Sequence, residues 1–220
     1  MNRNNEENRF ERIYKEIRQE ICLLHFPPGT ILNESKLAKR FKISRTPLRP
    51  VLQKLKHEGL VTIKNGVGTI VTGIDMKELK DIYDIRMMLI GTIDNFSTNI
   101  IQPIHIKETE KIIKKAKLLF KNKNAIKYAI LCNKLEDIIL NLISNEPLRE
   151  ITDILYYRVA RIWFTFLPNM NWEHVIKIFL KELNEVLNAL KKNDIKKLGF
   201  VRKKALQNIL DDISEFIAKS

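Results

Sequence analysis

Asn33 to Gly59, NESKLAKRFKISRTPLRPVLQKLKHEG, is the stretch on which the fold turns. It predicts two short helices joined by a tight turn. Asn33 caps the first, which carries Leu37 and Ala38 inward and ends near Phe41. Lys42 and Ile43 make the turn. Ser44 caps the second helix, whose inward face is Leu48, Val51, Leu52 and Leu55, and Gly59 supplies the left-handed stop after Glu58. This is the helix-turn-helix pattern. In such a pair the first turn of the second helix meets base edges in the major groove, where a bidentate arginine suits guanine O6 and N7. Arg45 and Arg49 lie four apart on the face opposite the core residues, with Thr46 between them. The alternative is two solvated surface arginines.

Upstream, Phe10, Ile13, Ile17, Ile21 and Leu24 fall on one helical stripe that needs a partner, and Pro27 and Pro28 close the helix off. Met1 to Asn8 read as unordered. Downstream, Leu60 to Ile63 and Thr69 to Thr72 are β-branched runs around Lys64-Asn65-Gly66-Val67-Gly68, a hairpin with its turn at Asn65-Gly66. Three helices and a two-stranded wing make a winged helix. Lys64 and the glycines let the wing tip approach a groove closely, although a hairpin needs those glycines for geometry alone.

Charge supports a polyanionic partner. The net charge is +13, and residues 1–72 hold 14 Lys+Arg against 7 Asp+Glu, twice the basic excess per residue of the remainder. No apolar run approaches the ~20 residues of a membrane span. The polar start MNRNNEENRF does not resemble a signal peptide, so a cytoplasmic protein is expected. Cys22 and Cys132 lack metal-ligand spacing and read as buried thiols.

The run YKEIRQEI…FPPGTILNESKLAKRFKISRTPLRPVLQKLKHEGLV resembles the DNA-binding domain of the GntR family of bacterial transcription regulators over about the first 72 residues. The resemblance implies that Arg45, Thr46 and Arg49 contact bases or neighbouring phosphates. It also implies that Ser44 and Lys39 or Arg40 contact the phosphate backbone, and that Gly66 meets the minor groove beside Lys64 and Asn65. One residue departs from the pattern: Pro50 stands where the family has an acidic residue. Proline has no N–H for the Thr46 carbonyl and its ring crowds that carbonyl, costing ~3 kcal/mol in a helix interior. The expectation is a recognition helix that starts later, kinks, or tilts Arg49.

Gly73-Ile74-Asp75 reads as a linker, and residues 76–220 as all helical. Helices are expected from Met76 to about Thr98, from Pro103, from Asn124 to about Ser144, from Pro147 to before Pro168, from Asn171, and from Asp194 to Ala218. The fold class is mainly α: a winged helix followed by an antiparallel bundle of six or seven helices. Leu79-x-x-Ile82-Tyr83-Asp84-Ile85-Arg86, Ser144-Asn145-Glu146-Pro147-Leu148 and Ala189-Leu190-x-x-x-Asp194 resemble the FCD effector domain of the FadR-like subfamily.

Many such domains hold a divalent metal through an Asp and three His, and the metal holds a carboxylate effector. By resemblance those positions fall on Asn133, Asp137, Leu183 and about Ala205. Only Asn133 and Asp137 can coordinate, so neither metal nor other cofactor is expected. Arg86 lies on the inward stripe Leu79, Ile82, Leu89, Ile93 and needs a buried carboxylate or a ligand anion. Either it pairs with Asp137 or snorkels at a dimer surface, or it receives the head of an anionic or amphiphilic effector whose body meets Leu183 and Ala205. Trp163, Phe164 and Phe166 beside Arg158 and Arg161 line a pocket or pack the core. No nucleophile-base pair, metal constellation or phosphate-binding glycine loop argues for an enzyme. The expected function is a transcription regulator that binds a palindromic operator as a homodimer and senses a small effector without a metal. The alternative is a helical domain that only dimerises.

Overall fold

Residues 3–73, 75–96 and 99–219 are described by the structure, a computed structural model. The chain divides into two compact units, 1–75 and 76–220. Ile74 of the expected linker and Thr98, the expected end of the first bundle helix, lie outside the described residues.

The first unit opens with α1, Arg3–Cys22. Arg3 to Asn8, read from sequence as unordered, are its first turns; Met1 and Asn2 lie outside the described residues. Ile13, Tyr14, Ile17 and Ile21 bury the face that packs on α3. Leu24 leaves the stripe because it adopts a left-handed φ of 61° just past the helix end. Asn33 accepts from the Lys36 N–H at 2.9 Å to cap α2, Glu34–Phe41. Lys42, at φ 53°, turns the chain into α3, Arg45–His57, which buries Leu48, Val51, Leu52 and Leu55.

Strands β2 (Val61–Lys64) and β3 (Gly68–Val71) pair antiparallel from Val61 opposite Val71 to Lys64 opposite Gly68. The turn therefore holds Asn65, Gly66 and Val67, one residue more than expected, with Gly66 at φ 76° in the left-handed position that such loops use. The sheet also has a third strand that sequence reading missed: β1, Ile31–Leu32, pairs antiparallel with β3.

In the second unit the helices are α4 (Met76–Gly91), α5 (Ile93–Phe96), α6 (Pro103–Leu119), α7 (Ala125–Leu142), α8 (Glu146–Phe166), α9 (Trp172–Lys191) and α10 (Ile195–Lys219), with a 3-10 turn at Leu167–Asn169. Asn124, Asn145, Asn171 and Asp194 each accept a backbone N–H three residues on, which sets four of the starts. Helix α10 packs on α4 and α9, α6 on α7 and α9, and α8 on α4 and α7. Gly199 permits the closest approach: a Cβ there would sit 2.7 Å from the Ile90 carbonyl oxygen. Among the described residues no helix is long and apolar enough to cross a membrane.

Candidate functional site

The first turns of α3 stand free of the core. Burial of Leu48, Val51, Leu52 and Leu55 leaves Arg45, Thr46, Arg49 and Pro50 exposed on the opposite side. Arg45 donates from Nη2 to Ser35 Oγ at 2.6 Å, and Arg49 Nε lies 3.9 Å from Glu34 Oε2 with its side chain 71% exposed. Such an exposed pair contributes about 0–1 kcal/mol, so a phosphate or guanine replaces it at little cost. Ser44 is the N-cap residue by backbone geometry, but its side chain makes no capping hydrogen bond. Lys39 is exposed on α2, and Lys64, Asn65 and Gly66 are exposed at the wing tip.

Two expectations change. Helix α3 starts at Arg45 and continues through Pro50, so Pro50 does not delay the helix. Both Thr46 and Pro50 are exposed, and water can serve the carbonyl that lacks its N–H. Arg40, paired in the sequence reading with Lys39 as a phosphate contact, donates instead to Glu20 at 2.8 Å and to Glu16, and its guanidinium lies 5.0 Å from the Phe41 ring. Its hydrogen bond to Glu20 raises its pKa. In the structure these contacts tie α2 to α1.

A buried polar cluster that sequence reading missed anchors the other end of α3. The Tyr14 hydroxyl donates to Glu58 Oε1 at 2.6 Å, and Arg18 Nε lies 3.5 Å from Glu58 Oε2, all three residues being buried. Lys54 adds a bond to Glu11 at 2.9 Å while its ammonium sits 3.8 Å from the Tyr14 ring centroid. The available signal was Tyr14 and Arg18, one turn apart on the inward stripe of α1, requiring an acid opposite.

The interior of the helical unit holds a linked cluster of charges. Arg86 on α4 is 5% exposed and reaches Glu136 Oε1 at 3.4 Å; Arg202 on α10 donates to Glu136 Oε2 at 2.7 Å and also to Glu182. The inward acid on α7 is therefore Glu136; Asp137, the expected partner, faces outward. Burial raises the pKa of Glu182, against the opposing pull of Arg202. Burial acts against the charge on Arg202, but the Glu182 and Glu136 carboxylates outweigh it and raise its pKa. Tyr83 is pushed up to about 12 by burial.

Arg86, Glu182 and Arg202, with Tyr83, Tyr156 and Cys132, surround a cavity of about 40 Å³, room for a few waters at most. Of the expected effector residues, only Arg86 lines it. Asn133 is buried nearby and accepts from the Tyr156 hydroxyl at 2.6 Å. Leu183 is buried without lining it, its neighbour Glu182 taking that place, and Ala205 borders a separate void of about 20 Å³. An apolar wall formed by Leu183 and Ala205 is thus not what faces Arg86. Trp163 and Phe164 do line the cavity, whereas Phe166 packs on Phe216, their ring centroids 5.4 Å apart. Arg158 pairs with Glu78, and Arg161 is buried. The donor set does not suit a divalent transition ion, since no histidine lines the cavity and both carboxylates already neutralise guanidiniums.

An exposed recognition helix on a capped two-helix unit, with a basic wing beside it, defines a winged-helix DNA-binding transcription regulator. Residues 9–71 match the model of the gntR family of bacterial regulatory proteins. The HTH-type transcriptional regulator YdhC of Bacillus subtilis is 25% identical over 191 residues, covering 83% of this chain and 81% of that one. The HTH-type transcriptional repressor RspR of Escherichia coli is 22% identical over 94% of this chain and 88% of its own. With the gluconate operon transcriptional repressor of B. subtilis the identity is 30% over 119 residues, 54% of this chain and 48% of the repressor. Among solved structures, E. coli McbR/YncC has the same fold, with a TM-score of 0.82 at 15% identity over 95% of this chain and 98% of that one.

Proposed function

We propose that the protein is a non-catalytic, sequence-specific regulator that binds a palindromic operator as a homodimer. Its helical domain, FCD-like, dimerises and senses a small anionic or amphiphilic effector without a metal. The observation that carries the DNA reading is the exposed face Arg45, Thr46, Arg49, whose arginines, among the described residues, make exchangeable contacts with Ser35 and Glu34. Lys39 supplies sequence-independent affinity, and Lys64, Asn65 and Gly66 carry the wing into a groove. One recognition helix reads a few base pairs, and two on related half-sites supply the usual affinity.

Ile85 and Met88 on α4 and Ile151 on α8 are exposed apolar side chains that a second copy would cover. Selection of bound sites from random duplexes with the full-length protein tests the proposal. The expected product is an inverted repeat with half-site centres about 10 bp or a multiple apart; no enriched sequence would refute it. A second reading, a helical domain that dimerises and holds no ligand in its interior, is favoured by the roughly 40 Å³ cavity and its mutually paired charges.

A further inference from the structure

Apart from the charged interior, the helical unit has a groove of about 510 Å³ between the end of α6 and the first half of α7, a size usual for ligand sites, about 300–1,000 Å³. Its apolar part is Leu118, Leu119, Ile130 and Leu131. Leu118 is 67% exposed there.

The rim is basic. Lys115, Lys123, Lys127 and Lys134 line the groove, and no aspartate or glutamate does. Among the described residues none of these lysines forms an ion pair. Glu108, whose charge Lys134 feels, is engaged by Lys111 at 2.5 Å, which with lesser help from Lys134 lowers its pKa. Lys123 is held in place: its ammonium donates to the Pro168 carbonyl at 3.1 Å and lies 5.9 Å from the Trp172 ring.

Like charges around a shared hollow repel one another, and that repulsion is relieved when an anion enters. An anionic polymer alone would leave the leucine and isoleucine floor in water. A neutral apolar molecule would leave the lysines unanswered.

We propose that this groove binds a small amphiphilic anion, with its carboxylate or phosphate head at Lys123 and Lys127 and its aliphatic body on Leu118, Ile130 and Leu131. The inference rests on the sensing half of the proposed function and is independent of DNA reading. It places the effector outside the interior, where Arg86 and Arg202 are already paired with Glu136 and Glu182.

The test uses the full-length protein and decanoate, titrated by calorimetry and by tryptophan fluorescence, with decanol and acetate as body-only and head-only controls. Saturable decanoate binding is expected, with decanol and acetate at least ten-fold weaker. Lys123→Gln with Lys127→Gln should weaken decanoate roughly ten-fold or more, as loss of hydrogen bonds to a charged group does. Arg86→Lys should leave it unchanged. Equal binding of decanol, an unchanged affinity in the double lysine variant, or loss of binding in Arg86→Lys at an unchanged melting temperature would each overturn the proposal. Tight binding of an acidic peptide with no competition from decanoate would also overturn it. Operator binding is measured separately, so failure of the groove leaves the DNA reading intact.

Discussion

Replacing Arg202 by methionine keeps most of the side-chain volume on α10 and deletes one of the two cations that balance Glu136 and Glu182. Glu136 retains Arg86 at 3.4 Å, while Glu182 loses the guanidinium that opposes its protonation. Breaking a buried pair on one side costs about 3–5 kcal/mol. The cost has a ceiling, because Glu182 can take a proton: starting from 4.5, neutralising it at pH 7 costs about 1.36 kcal/mol per unit, or ~3.4 kcal/mol. A loss of about 3 kcal/mol at pH 7 is expected, which with a urea slope of ~2 kcal/mol/M moves the midpoint by about 1.5 M.

The sign with pH follows from the raised folded pKa. Between the unfolded and folded values the native state holds the extra proton, so the contribution of Glu182 to stability is greatest at acid pH and falls as pH rises through that window. The penalty of Arg202→Met should therefore shrink toward pH 5. Trp163 and Trp172, the chain's two tryptophans, both lie in the helical unit, so their fluorescence follows its unfolding alone. Adding Glu182→Gln to Arg202→Met removes one charge of each sign and leaves Arg86 with Glu136; it should recover about 1–3 kcal/mol. A loss under about 1 kcal/mol, or one equal at pH 5 and pH 7, would refute the account of the network.

Arg45→Ala should cost about 1–3 kcal/mol on the selected operator and little on a scrambled duplex, whereas Lys39→Ala should weaken both and reduce the salt slope by about 1; titrations at several salt concentrations separate the two. Arg40→Ala should lower the melting temperature of the DNA-binding unit and leave the salt slope unchanged, since its guanidinium is engaged by Glu16 and Glu20. Pro50→Glu should restore the hydrogen bond to the Thr46 carbonyl, stabilise the unit by about 1–3 kcal/mol and change the preferred site; selecting sites for both proteins and comparing urea midpoints checks it.

The winged helix was legible because its signals are local. Asn33, Gly59 and the spacing of Leu48, Leu52 and Leu55 each act within a few residues, and the structure uses each of them. Strand β1 was not legible: Ile31 and Leu32 are strand only through pairing with Ile70 and Thr69, almost forty residues away. The interior of the helical unit was misread by one residue for a different reason. Counting from a motif chose Asp137, but at 100° per residue Asp137 lies about 200° from Leu135 and Glu136 about 100°. With Leu135 and Ile139 buried, phase alone selects Glu136. The same rule that picked out Arg86 picks out Arg202, which sits one turn after Leu198 and one before Leu206 on a buried stripe.

Helix α3 is secured unevenly along its length, and the unevenness falls where reading takes place. At its C-terminal end Glu58 is buried with Tyr14 and Arg18, and Lys54 is bonded to Glu11. At its N-terminal end Ser44 makes no side-chain cap, Pro50 removes one backbone hydrogen bond, and Arg45 and Arg49 are held by one neutral hydroxyl and one half-buried carboxylate at 3.9 Å. Each of these contributes about a kilocalorie or less, or withdraws a bond that would stiffen the turn. The buried carboxylate at the far end is worth several times that if its partners are removed. The base-reading turn can therefore adjust to a groove without disturbing the anchor, and substitutions at Glu58 should act on the fold of the unit while substitutions at Arg45 act on sequence choice.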